Sequence, residues 1–269
     1  MREKQVIVMN FSGIYEAERF YEKVPRENRV WLDCRMIPGT NCYCSEEGER
    51  ELKKKTDPLG PEGIHFLDSG NYHYVTKLWL DQVKKPFELL VLDHHTDLQK
   101  PVFGDILSCG GWIRTSLENN PFLNRVYLAG PPQEAVRDAK KELPEEIWKK
   151  VIWIPEEVLK KKDGAGDILR PEDRVLPVYI SIDKDLLASD SARTNWDQGQ
   201  TGIAEMADFI RNFLRGRTLI GVDICGEDPE GAEGPEAEAA LRINDAANEL
   251  LLETVSGCFD ESMMAVRIR

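Results

Sequence analysis

The sequence predicts an α/β protein, a three-layer α/β/α arrangement with a mostly parallel sheet between two layers of helices. Three observations predict it. Short β-rich apolar runs alternate along the chain with longer segments of helical period, the order that right-handed βαβ crossovers produce. Runs such as Leu89-Leu90-Val91-Leu92 are apolar on both sides, as a strand covered by helices above and below must be. A length of 269 residues with 41% hydrophobic and 31% charged residues suits a folded chain with a sizeable core. A single domain spanning residues 1–269 is expected.

Taken in order, the first strand is expected over Val6–Phe11, followed by a helix over Tyr15–Lys23 and strands over Val30–Asp33 and Ile64–Asp68. A helix over Tyr74–Lys84 leads to the doubly apolar strand Glu88–Asp93 and then to strand Arg125–Ala129. Helix Gln133–Glu142, strand Val151–Ile154 and strand Pro177–Asp183 follow. The mixed charged, Gly and Pro stretch Lys160–Asp173 reads as a surface connection between the last two. Helix Ala204–Leu214 precedes strand Leu219–Ile224, the polar stretch Gly226–Glu236, and an Ala/Leu/Glu-rich helix from Pro235 to about Thr254. The short apolar run Met263–Ile268 closes the list as a strand.

Thirty-five Lys plus Arg against 48 Asp plus Glu give a net charge of −13, a field that repels nucleic acid and anionic membrane and favours cationic partners. The apolar stretch Val6–Met9 is too short for a signal-peptide core, and no run approaches the roughly 20 apolar residues of a membrane span. A cytoplasmic protein is expected. Six cysteines without an export signal read as thiols rather than a disulfide framework, and the lack of a C-x-x-C pair disfavours a structural zinc site.

In an open parallel sheet the ligand site lies outside the carboxyl ends of the strands, so residues just after each strand carry the most information. Strand Glu88–Asp93 runs into Asp93-His94-His95-Thr96-Asp97. If the chain stays extended, alternation puts Asp93, His95 and Asp97 on one side and His94 and Thr96 on the other. Strand Pro177–Asp183 runs into Asp183-Lys184-Asp185, with the two carboxylates on one side and Lys184 opposite. Paired carboxylates at a strand end are costly unless a cation or a shared proton neutralises them. The segment Ile64–Thr76 brings a Gly-containing turn that ends in His73. Each signal alone has an ordinary account, as a solvated strand exit or a helix-start histidine. Their joint occurrence at three strand ends favours a metal site of oxygen and imidazole donors.

These segments resemble the arginase/ureohydrolase superfamily: His73 in GNYHY is similar to that family's Gly-rich turn ending in His, DHHTD to its D-x-H-x-D, and SIDKD to its S-x-D-x-D. With VIVMNFSGIYE, GTNCYCS and SCGGW they suggest a divergent bacterial branch. The resemblance implies an arginase-like sheet and two Mn²⁺ ions, other divalent metals also being compatible. His73, Asp93, Asp97 and Asp183 would hold one ion; His95, Asp93, Asp183 and Asp185 would hold the other, with Asp93 and Asp183 bridging. It also implies hydrolysis of a C–N bond in a small cationic guanidino or amidine compound by a bridging hydroxide, giving urea and an amine, with Asp97 accepting a hydrogen bond from that hydroxide. An arginine side chain within a peptide is a second substrate class, and assembly into a homo-oligomer is a family habit.

Two positions depart from the family pattern. Cys109-Gly110 stands where a proton-shuttling His-Gly is common, so Cys109 reads as a substitute shuttle or a small packing residue, with a nucleophile as a distant third reading. Counting back from Pro229, the family's guanidinium-binding Glu falls on Gly226, with Glu227 beside it, either shifted to the substrate or a solvated loop carboxylate. Gly39–Cys44 reads as a rim loop or an ordinary loop, and Trp196-Asp197-Gln198-Gly199 as pocket lining or a turn. Two rival functions follow: a deacetylase-like amidohydrolase with one zinc, and a metal-binding regulatory protein without catalysis.

Overall fold

The computed structural model describes residues 5–101, 104, 106–161, 163–169, 174–229 and 234–267, with backbone alone at 167 and 260–267. Eight strands form the main sheet: β1 (Val6–Asn10), β2 (Arg29–Asp33), β4 (Gly63–Phe66), β5 (Phe87–Leu92), β7 (Leu123–Ala129), β8 (Val151–Ile154), β9 (Val178–Asp183) and β10 (Leu219–Cys225), in the order β2-β1-β4-β10-β9-β5-β7-β8. Every pairing between them is parallel. Two short strands, β3 (Tyr43–Cys44) and β6 (Leu107–Ser108), make a separate antiparallel pair.

The helices are α1 (Glu46–Thr56), α2 (Val75–Leu80), α3 (Trp112–Asn119), α4 (Gln133–Glu142), α5 (Glu145–Trp148), α6 (Glu156–Leu159), α7 (Gly164–Ile168), α8 (Ile203–Leu214) and α9 (Pro235–Arg267). They split the core into two apolar clusters on opposite faces of the sheet. Along β5, Leu90 and Leu92 pack into the cluster that holds Phe209, Phe213 and Leu251, while Leu89 and Val91 pack into the one that holds Trp79 and Trp112. This alternation between two buried faces is why β5 is apolar without a break from Leu89 to Leu92.

Three expected elements differ. Tyr15–Lys23 forms two short 3₁₀ turns, Ile14–Glu16 and Phe20–Lys23, rather than a helix. The segment from Tyr74 turns helical only over Val75–Leu80, short of Lys84 and the helix-incompatible Pro86. Met263–Ile268 is not a strand: α9 continues through it to Arg267, residue 268 lying outside the described residues. An apolar run of this length fits either structure, and here it extends a helix already nucleated. The connection Lys160–Asp173 carries α7, with residues 162 and 170–173 outside the described set. Among the described residues no helix is long and apolar enough to cross a membrane.

Candidate metal centre

β4, β10, β9 and β5 are consecutive neighbours in the middle of the sheet, and the chain leaving their carboxyl ends builds one site. After β4, Asp68 takes a left-handed conformation (φ 70°). Its carboxylate accepts from the backbone N–H groups of Phe11 (2.9 Å) and Ser12 (2.8 Å), which fixes the turn. The 3₁₀ turn Gly70–Tyr72 then ends in His73. A Cβ at Gly70 would lie 2.9 Å from Asp183 Oδ2, so only glycine allows this turn to approach β9 so closely.

After β5 the chain does not stay extended. Asp97 is left-handed (φ 46°), and the loop curls so that His94 and Thr96 line the same cavity as Asp93, His95 and Asp97. The strict alternation expected from the sequence is thereby corrected: a tight loop gathers these side chains, held by His95 N–H donating to Asp93 Oδ1 (2.5 Å) and His94 N–H donating to Asp185 Oδ1 (2.9 Å). After β9, Asp185 N–H donates to Asp183 Oδ1 (2.9 Å), which turns both carboxylates to the same side.

His73 Nδ1 lies 3.2 Å from Asp93 Oδ2, 3.2 Å from Asp97 Oδ2 and 3.5 Å from Asp183 Oδ2. His95 Nδ1 lies 2.7 Å from Asp185 Oδ2 and 3.6 Å from Asp93 Oδ1. Asp93 is thus the carboxylate shared by both imidazoles. Among the described residues three groups could hold a metal ion: His73, Asp93 and Asp97; Asp93, His95 and Asp185; and His73, Asp183 and Cys225. Cys225 donates its S–H to Asp183 Oδ2 (3.1 Å). Burial, with Asp183 beside it, pushes that thiol well above its ordinary pKa.

Ser181 and Trp112 are site residues for which no role was foreseen. The Ser181 hydroxyl donates to Asp223 Oδ1 (2.6 Å) and lies 2.8 Å from His73 Nε2. A hydroxyl has one proton, so His73 Nε2 must be the donor in that contact, which makes Nδ1, facing the carboxylates, the atom that would give up its proton to a cation. The Trp112 indole N–H donates to Asp97 Oδ2 (2.6 Å) and fixes that carboxylate. The sequence signal for Ser181 was its position two residues before Asp183 on the same strand face; Trp112 offered none beyond standing in SCGGW.

Without a cation the cluster is electrostatically unfavourable. Burial and the neighbouring Asp93 charge raise Asp97 to about 6. Burial, Asp183 and Asp93 hold Asp185 well above the ordinary carboxylate range. Burial also acts on Asp93, but the adjacent positively charged imidazoles of His73 and His95 outweigh it and lower its pKa. His95 rises to about 11, burial being overcome by Asp185 and Asp93. Asp93 Oδ2 is buried and makes no hydrogen bond. A buried set of four carboxylates and two imidazoles with an orphaned oxygen fits hard or borderline divalent cations.

The site opens into a cavity of about 420 Å³, within the ~300–1,000 Å³ range of small-molecule sites. Its walls include Cys42, Tyr43, Gln99, Ser108, Pro132, Trp196 and Asp197, so both the Gly39–Cys44 loop and Trp196-Asp197 contribute lining. Among the described residues no Lys or Arg lines it.

No family model matches the chain. An uncharacterized protein of Thermotoga maritima is 26% identical over 239 residues, 88% of this chain and 85% of its own length. The proclavaminate amidino hydrolase of Streptomyces clavuligerus superposes with a TM-score of 0.69 at 14% identity, covering 97% of this chain and 94% of that one. The chain has the arginase/ureohydrolase fold. Agmatine ureohydrolase of Thermoplasma volcanium shares that fold (TM-score 0.63, 16% identity, 98% and 91% covered). So does the formiminoglutamase of Trypanosoma cruzi solved with Mn²⁺ (TM-score 0.61, 14% identity, 93% and 94% covered).

Within this arginase-like frame the two departures resolve differently. Cys109 lines the cavity, and burial with Asp97 nearby pushes its thiol up to about 12. Glu227 does not reach the cavity, correcting the expectation of a substrate-binding carboxylate. It is fully buried on the opposite face, paired with Lys184 and accepting from Asn248 Nδ2 (2.8 Å). Gly226 is left-handed (φ 97°) and a Cβ there would lie 2.6 Å from Asp183 Oδ1; the chain passes under the site as backbone alone.

Proposed function

We propose that this protein is a metal-dependent hydrolase of a C–N bond in a small cationic guanidino or amidine compound, yielding urea or a comparable amide and an amine. The whole chain, residues 1–269, would form the single domain around that site. The observation that carries the reading is the convergence of His73, Asp93, His95, Asp97, Asp183 and Asp185, from three strand ends, on one open acidic cavity. His73, Asp93, Asp97 and Asp183 would hold one divalent cation and His95, Asp93, Asp183 and Asp185 the other, Mn²⁺ being favoured by the oxygen and imidazole donors and by the Mn²⁺ of the formiminoglutamase. When bound, the pair would supply Lewis acidity and an activated water.

The chain's own residues do the rest. The carboxylate-rich cavity draws in a cation, and exposed Asp197 extends that field to the mouth. The Trp196 ring, edge-on to His95 at 5.5 Å, gives a flat wall against which a planar guanidinium packs. Asp97, pinned at Oδ2 by Trp112, presents its other oxygen to take a proton from attacking water and return it to the leaving amine. Cys109, whose thiol burial pushes up to about 12, does not suit that exchange.

The test is direct. Protein loaded with Mn²⁺ and incubated with a panel of guanidino compounds should release urea, with deacetylation and formamide release followed in parallel and bound metal counted. Asp93→Ala should lose most of the bound metal, because both imidazole groups share that carboxylate. Two retained ions in this variant, or one zinc with deacetylation in the parent, would contradict the assignment.

A further inference from the structure

β3 and β6 pair antiparallel, Tyr43 opposite Ser108 and Cys44 opposite Leu107. Just beyond that ladder the Cys109 backbone N–H donates to the Cys42 carbonyl at 2.9 Å. Cys42 is left-handed (φ 60°) and Cys109 opens the 3₁₀ turn Cys109–Gly111, so the two stand just past the ladder, held side by side by that backbone hydrogen bond. Both side chains line the cavity. Accessibility singles out the same two: Cys34, Cys44, Cys225 and Cys258 are buried, while Cys42 and Cys109 are half-buried. Cys42 sits between exposed Asn41 and Tyr43 on the rim, where a small oxidant arrives first.

We propose that Cys42 and Cys109 are a reversible disulfide site in the cavity wall. A hydroperoxide oxidises the Cys42 sulfur to a sulfenic acid and leaves as water or alcohol. The Cys109 sulfur then attacks the sulfenic sulfur: the S–S bond forms, the S–O bond breaks, and the hydroxide departs as water with the Cys109 proton. A dithiol reductant restores both thiols. The bond would draw the rim loop onto the Cys109–Gly111 turn, which leads directly into Trp112 and its hydrogen bond to Asp97. Oxidation is therefore expected to disturb Asp97 as well as narrow the cavity; that consequence, unlike the linkage, rests on the proposed metal site.

The linkage is tested on the intact protein without reference to turnover. After hydrogen peroxide treatment, alkylation of remaining thiols and digestion, unreduced mass spectrometry should show the Cys42 peptide joined to the Cys109 peptide, with fragmentation placing the bridge on Cys42 rather than Cys44. Both thiols should lose their alkylation, and dithiothreitol should return it. In Cys42→Ala the crosslink should vanish. Alkylation persisting at both positions, a bridge to Cys44 or to a second molecule, or oxidation beyond sulfenic acid without a crosslink would overturn the proposal.

Discussion

The Ser181 hydroxyl fixes the proton of His73. Its single hydrogen goes to Asp223, so the imidazole must donate from Nε2 and offer Nδ1 to a cation. Ser181→Ala removes that acceptor while leaving the carboxylates in place. A lost partner of this kind costs metal affinity about 10–100-fold. Titration of the apoprotein with Mn²⁺ should show a weaker site of that order; unchanged affinity would mean that His73 is oriented by packing alone. At this scale, strand-end motifs were legible in the sequence because Asp93, His95 and Asp97, and likewise Asp183 and Asp185, are neighbours along the chain. Glu227 was not, since its partners Lys184 and Asn248 come from β9's exit loop and α9, and no local pattern announces an ion pair between distant segments.

Elements differ in how plainly the sequence declares them. β5 and β9 are buried at every position and carry the apolar runs Leu89–Leu92 and Val178–Ile180, hence their legibility. α1 was not foreseen although its cues were present: Ser45 caps it by accepting from Gly48 N–H, acidic residues fill its first turn and lysines its last. Its few buried side chains give too faint a periodic stripe. Through Asn248, α9 also completes a buried network on the face opposite the site. Asn248 accepts from Lys184 Nζ (2.9 Å) and donates to Glu18 Oε2 (2.8 Å) and Glu227 Oε1 (2.8 Å). Lys184 is the cation in contact with Glu227, and all four residues are fully buried. Lys184→Met would leave Glu18 and Glu227 without it, a loss of about 3–5 kcal/mol for an uncompensated buried carboxylate. Urea unfolding should show that drop, and adding Glu227→Gln should restore part of it; an unaltered midpoint in Lys184→Met would place the network's weight elsewhere.

For the molecule as a whole, the metal cluster sets stability against pH. Asp97 titrates near 6 when folded and near 3.8 when unfolded, and Asp185 is shifted the same way. In the absence of metal the folded state therefore holds protons that the unfolded chain gives up. The resulting stability is full below about pH 4 and is lost as pH rises through about 6. His65 opposes this on the acid side. Buried against Trp79, it falls to about 3, so its contribution is present above its ordinary value of 6.5 and fades as pH drops through that window. Divalent cations compete with the protons of the carboxylate cluster, so their stabilisation must grow as pH climbs past 6. At a hundredfold excess over the dissociation constant it amounts to about 2.7 kcal/mol, roughly 5–10 °C in Tm for a chain of this size. Thermal scans with and without Mn²⁺ should show that gap near pH 7.5 and little of it near pH 5, with chelator reversing it. A shift of equal size at both pH values would show that the bound ions displace no protons, and the buried carboxylates would then not be their ligands.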